Sequence, residues 1–181
     1  TSSVEPVRDP YSGEVLATVC QAEPEHIHQV TESVKRVSTA YAKIPAHARA
    51  KALLHIAAGL SDRREEFATT ICREAGKPIT DARREVDRAI QTFRIAAEES
   101  KRIPGEILPM DLTPGGEAYS GSVKRFPIGT VLGITPFNFP LNLVAHKVAP
   151  CLAAGNPMVL KPAPQTPLTS LLLGEVFLTT D

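Results

Sequence analysis

With 181 residues, 43% of them hydrophobic, the chain has apolar material for one packed core or for part of a larger one. Aromatic residues make up only 5% and tryptophan is absent, so aliphatic side chains must fill that core. Twenty basic residues balance twenty acidic ones, which excludes the net positive charge that draws proteins to nucleic acid or anionic membrane. No run of about 18 apolar residues offers a bilayer span, and no basic region precedes an apolar stretch at the start, so the expected location is the cytoplasm.

Taken in chain order, Val4–Arg8 and Val15–Val19 are short β-prone runs around the turn-rich Asp9-Pro10-Tyr11-Ser12-Gly13-Glu14, the pattern of a hairpin. Ile27, Val30, Val34, Val37, Tyr41 and Ile44 recur at helical spacing and predict a helix with one apolar stripe, ended by Pro45. A second helix is predicted from Ala46 to Ala75, with Leu53, Ala57, Leu60, Phe67 and Ile71 on one face and Gly76-Lys77-Pro78 as its stop. A third runs from about Asp81 to Arg102, with Val86, Ile90, Phe93 and Ala97 inward and a charged, solvated face carrying Arg83, Arg84, Asp87, Arg88, Glu98, Glu99 and Lys101. Gly105–Pro109 and Ala118–Phe126 look extended and flank Thr113-Pro114-Gly115-Gly116-Glu117, as in a protruding ribbon.

The last third predicts a strand at Gly129–Ile134, a helix at Leu141–Ala154, a strand at Pro157–Lys161 and a helix from Leu168. This is a βαβ unit whose first strand is apolar enough to be a buried parallel strand. Cys20, Cys72 and Cys151 lie far apart without CxxC spacing, which suits reduced thiols rather than a zinc site or a disulfide framework. The expected metal is none. An open βαβ unit is also an incomplete doubly wound sheet, which points to a truncated domain.

Chemistry concentrates where the first βαβ strand gives way to its helix. Ile134-Thr135-Pro136-Phe137-Asn138-Phe139-Pro140 lies at the C-terminal edge of parallel strands, where ligands collect. Two prolines stiffen the bend, and the Asn138 carboxamide can either donate to an oxygen gaining negative charge or merely tie the turn. Lys161 ends the next strand on the same edge. It can reach ribose hydroxyls or phosphate, or simply extend its stem along the surface. His146, inside the following helix, suits a packed or half-exposed side chain better than a base.

These residues carry a family resemblance. Ile134–Pro140, Leu141–Lys147, Ala149-Pro150, Leu152–Asn156 and Leu160–Ala163 resemble the aldehyde dehydrogenase superfamily almost without a gap. Asp9-Pro10 with Ser12-Gly13-Glu14, Glu74–Pro78, Glu85-Val86, Gly105-Glu106 and Arg125–Gly129 extend the likeness along the chain. The resemblance implies an α/β fold, the N-terminal part of the aldehyde dehydrogenase architecture with an incomplete Rossmann-like cofactor domain. Residues 1–104 would supply its hairpin and helices, 105–128 an oligomerisation arm, and 129–181 the first, truncated βαβ unit. It also implies oxidation of a small-molecule aldehyde to a carboxylic acid with NAD or NADP, through a cysteine thiohemiacetal and hydride transfer to the nicotinamide. Asn138 would be one oxyanion donor. Ile134, Thr135, Pro136 and Phe137 would line the cofactor path, and Lys161, Pro162, Ala163 and Pro164 would bind at the adenosine ribose. Phe139, Asn142, Leu143 and His146 would face the substrate, and the parent would be a homo-oligomer, dimer or tetramer.

Pro164 departs from the Glu of many NAD-preferring members and can neither bond a ribose 2′-hydroxyl nor repel a 2′-phosphate, so both cofactors remain in play. The family's nucleophilic cysteine and general-base glutamate are expected beyond Asp181, since none of the cysteines present lies in a glycine-flanked loop. The chain alone is therefore expected to be an inactive fragment. The alternatives are a short, non-catalytic nucleotide-binding or assembly module, and an unrelated βαβ nucleotide-binding protein. The latter is disfavoured by the lack of GxxxxGK[ST] and GxGxxG.

Overall fold

In the computed structural model, which describes residues 3–180, β1 (Val4–Arg8) and β2 (Val15–Cys20) form an antiparallel hairpin with an irregularity after Val7. Its turn is set by Asp9, whose carboxylate accepts the backbone N–H groups of Tyr11 (2.8 Å) and Ser12 (3.2 Å), before Gly13 turns the chain at φ 74°. The outermost positions of the first and third expected regions, residues 1, 2 and 181, lie outside the described residues.

Helix α1 (Pro24–Tyr41) starts at a reciprocal cap between Glu23 and His26. Its predicted apolar stripe exists, but no residue of α1 is buried, and Ile27 and Val37 are exposed. The expected helix over 46–75 is in fact two: α2 (Ala46–Asp62) and α3 (Arg64–Ala75), broken at Arg63. No glycine or proline marks the break. Arg63 leaves helical geometry (φ −101°, ψ 21°) while pairing with Glu66 on α3 and Glu175 further along the chain. The new direction lets Leu60 and Phe67 both be fully buried. Gly76 closes α3 in the left-handed region at φ 64°.

Helix α4 (Ile79–Glu99) is the centre of the molecule, packed against α2, α3 and α5 (Asn142–Ala153). Val86, Ile90, Phe93 and Ala97 point into the core as the periodicity predicts. Its charged face is more than a solvated surface. Arg83 pairs with Glu65 (2.8 Å) and Asp87 with Arg64 (2.6 Å), tying α4 to α3 through exposed bridges.

Strands β3 (Glu106–Leu108) and β4 (Gly121–Val123) pair antiparallel as a short, largely exposed ribbon, narrower than the expected extended segments. Strands β5 (Val131–Ile134) and β6 (Met158–Lys161) pair in parallel, with α5 crossing between them and α6 (Leu168–Leu178) following. Gly133 of β5 is buried, whereas Leu132 and Ile134 are exposed, so the expectation of a fully buried strand fails. Helix α5 packs on this pair of strands, and the outward side chains of β5 have no covering layer among the described residues. Among those residues, no helix is long and apolar enough to cross a membrane, and no cluster of three or more acidic, His or Cys side chains is arranged to hold a metal.

Candidate functional site

Parallel pairing brings the C-terminal ends of β5 and β6 level, with Ile134 opposite Lys161 and the Thr135 N–H donating to the Lys161 carbonyl at 3.2 Å. Beyond that point Pro136, Phe137, Asn138 and Phe139 are exposed, while Thr135 and Pro140 are buried at the two ends of the bend. Asn138 is thus exposed beyond the C-terminal edge of the strands, in a bend anchored at both ends.

The anchors come from the α3–α4 junction. Lys77 donates to the Asn138 carbonyl at 2.9 Å, and its ammonium lies 3.9 Å from the centroid of the Phe139 ring. The same ammonium forms an ion pair with Glu85, whose side chain is 1% exposed against 15% for Lys77. The other carboxylate oxygen of Glu85 accepts the backbone N–H groups of Leu141 (3.0 Å) and Asn142 (3.1 Å), which open α5. A carboxylate here satisfies two helix-end donors and complements the helix dipole.

One cavity lies beside the end of β6 and a second borders the bend at Phe139. Lys161, Pro162, Ala163, Pro164 and Pro167 face the β1–β2 hairpin across a cleft of about 310 Å³. Its lysine ammonium donates to the neighbouring Pro162 carbonyl at 3.3 Å and makes no ion pair among the described residues. A second cavity of about 500 Å³ is lined by Lys77, Arg84, Arg88, Asp81, Glu85 and Phe139. Arg84 pairs with Asp81 at 3.3 Å, whereas Arg88 makes no ion pair among the described residues and lies 5.8 Å from the Phe139 ring centroid.

The expected substrate residues are dispersed. Phe139 borders the second cavity. His146 is exposed and lines a separate apolar groove of about 380 Å³ with Ile95, Ile103 and Pro150. Leu143 is half-buried, and Asn142 is turned inward at 2% exposure with its side-chain oxygen lacking a hydrogen-bond partner. Of the cysteines, Cys20 is exposed, Cys72 half-buried, and Cys151 buried, where desolvation pushes its thiol pKa up. None lines the cavity at Phe139.

Lys77 and Glu85 are the residues whose part in the site sequence reasoning missed. The signal was there for Glu85: it falls on the same helical stripe as Ala82, Val86 and Ala89, which is the wrong face for a solvated carboxylate.

The chain thus holds a βαβ unit with Lys161 at one strand end and the Asn138 bend beyond the other, and comparison with known proteins gives its family. The sequence model described as Aldehyde dehydrogenase family matches residues 1–181, and the chain belongs to that family. It is 39% identical over 167 residues to an aspartate-semialdehyde dehydrogenase of Pseudomonas canavaninivorans, covering 92% of this chain and 36% of the relative. The crystal structure of aldehyde dehydrogenase 21 from Physcomitrella patens, in complex with the reaction product succinate, superposes with a TM-score of 0.97 at 46% identity, covering 99% of this chain and 37% of that one. That of glyceraldehyde-3-phosphate dehydrogenase from Methanocaldococcus jannaschii, complexed with NADP, gives 0.90 at 34% identity, covering 98% and 37%. The chain therefore spans about a third of the length of these relatives. Family members hold NADP or NAD, and the mixed α/β fold corresponds to the N-terminal part of theirs.

Proposed function

We propose that this chain supplies the cofactor cleft and one oxyanion donor for NAD(P)-dependent oxidation of an aldehyde to an acid, with the thiol nucleophile outside these residues. The observation that carries this reading is the exposed Asn138 in the bend that follows β5, held at its backbone carbonyl by Lys77, with β5 ending at Ile134 opposite Lys161 of β6. The Asn138 carboxamide stabilises the oxygen as it gains charge, which favours the transition state over the bound aldehyde. When bound, NAD(P)+ supplies the hydride acceptor. Lys161 holds its ribose, and Ile134, Thr135, Pro136 and Phe137 border its path. The exposed Ile107 on the β3–β4 ribbon supports the role of that segment as the arm through which copies pair.

In an active protein carrying this chain, Asn138→Ala lowers kcat by about 10²-fold or more. Cofactor affinity changes little in that variant, whereas Lys161→Ala weakens cofactor binding. Steady-state kinetics with a cofactor titration separates the two, and an undiminished kcat in Asn138→Ala removes the oxyanion role.

The substrate is an aldehyde with an anionic far end. Arg88, which makes no ion pair among the described residues, lines the Phe139 cavity together with Arg84. Three of the similar proteins are named for aspartate semialdehyde, the product succinate and glyceraldehyde 3-phosphate, each of which carries a carboxylate or phosphate, whereas others are lactaldehyde dehydrogenases, whose substrate carries no charge. Arg88→Ala raises KM for a carboxylate-bearing aldehyde by about tenfold or more, the worth of one charge-assisted hydrogen bond, and leaves a neutral aldehyde of equal length nearly unaffected. Equal effects on both aldehydes would remove Arg88 from substrate recognition.

A further inference from the structure

We infer that Lys77 and Glu85 are positioning residues for Asn138: a buried ion pair that locks the 135–142 bend, so that the carboxamide is held ready before any ligand arrives. The inference rests on the reading of Asn138 as an oxyanion donor.

The bend has little to hold itself. Pro136 and Pro140 fix φ at two positions, but the segment between them belongs to neither β5 nor α5. A donor intended for a developing oxyanion must be kept within about 0.5 Å of its target, which demands outside support. Lys77 and Glu85 provide it from one junction, Lys77 in the link after Gly76 and Glu85 two turns into α4. Lys77 grips the carbonyl of Asn138 itself and stacks its ammonium on the neighbouring Phe139 ring. Glu85 grips the two N–H groups where the bend becomes helix. The bend is thus held by its carbonyl on one side and by its amides on the other.

Charge explains why a pair is used. At 1% exposure a lone Glu85 carboxylate would pay a heavy desolvation cost, and two backbone donors offset only part of it. The lysine offsets more, and being held by Glu85 fixes its direction toward Asn138. Neither residue needs to touch substrate. Removing Lys77 frees the Asn138 carbonyl and leaves the Glu85 carboxylate buried without its counter-charge, so the bend and the cap it leads into both loosen.

The test uses NMR on the 181-residue chain and needs no turnover. It compares amide exchange at Leu141 and Asn142 with that at Leu168 and Thr169, which a different carboxylate, Glu74, holds. In Lys77→Met, exchange at Leu141 and Asn142 speeds up by about tenfold, and the Asn138 side-chain amide resonances shift and broaden. Leu168 and Thr169 stay as protected as in the parent, and Lys77→Arg restores both signatures. Unmoved Asn138 resonances with unchanged Leu141 and Asn142 exchange overturn the proposal, as does an equal acceleration at all four amides. If Lys77→Met does not fold, Lys77→Gln is scored by the same four amides and the same resonances. A flat kinetic result for Asn138→Ala would sink the oxyanion reading alone, because the exchange pattern is measured without catalysis.

Discussion

The two helices of the βαβ unit begin in the same way and are held differently. At α5, Glu85 takes the N–H groups of Leu141 and Asn142 on one oxygen and Lys77 on the other. At α6, Glu74 takes the N–H of Leu168 (2.7 Å) and of Thr169 (3.0 Å) together with the Thr169 hydroxyl, and no basic side chain pairs with it among the described residues. Burial raises the pKa of Glu74 above the usual carboxylate value. Its bonds to Thr169 and Leu168 pull the other way without cancelling that rise, and the negative charge of Glu85 adds to it. Both carboxylates are buried and cap a helix start, and among the described residues only the one at α5 is also given a cation. The counter-charge is placed at the clamp beside the Asn138 bend, where movement would matter most.

The sharpest way to break this comparison is Glu85→Ala, which orphans two buried N–H groups and leaves Lys77 unpaired. It is expected to cost about 3 kcal/mol in urea denaturation, the range for removing one partner of a buried pair. A cost no larger than that of the matching change at Glu74 would make the two clamps equivalent.

Glu74→Gln is expected to cost less, about 1 kcal/mol near neutral pH for an imperfectly replaced hydrogen bond, and to change the pH dependence. Because the folded pKa of Glu74 is raised, its contribution is fully present below the ordinary value of 4.5 and is lost as pH climbs through the folded value. Exposed Glu65, Glu66 and Asp87 run the opposite way, since hydrogen bonds from Arg83, Arg63 and Arg64 respectively lower their pKa values. The difference in stability between parent and Glu74→Gln, followed upward from pH 4.5, isolates the Glu74 component. It should move in favour of the variant as pH rises, and a pH-independent difference would show that Glu74 titrates alike in both states.

Smallest of all should be Asp87→Asn at the exposed pair with Arg64, because solvent and salt screen such bridges. The denaturation midpoint is expected to stay close to that of the parent. A shift rivalling that of Glu74→Gln would mean that the α3–α4 surface bridges matter as much as a buried clamp.

Local pattern was enough to read much of this protein. Stripes at helical spacing located α1, α4 and the stretch that α2 and α3 share, read there as one helix, because a helix turns one face to the core whatever covers it. Strand, helix, strand and helix in succession placed Asn138 and Lys161 at neighbouring strand ends, and the register of Ile134 with Lys161 agrees. Partners distant in sequence were not legible. Arg63, at the break, bonds to Glu175, 112 residues away, and the clamp at α5 joins Glu85 to Leu141 across 56 residues. The exposure of Leu132 and of the α1 stripe likewise depends on which layers pack against them. A sequence states which face of an element is apolar and which residues are charged. Only the packed chain decides what lies opposite, and that decision turned two glutamates on apolar stripes into the clamps that start two helices.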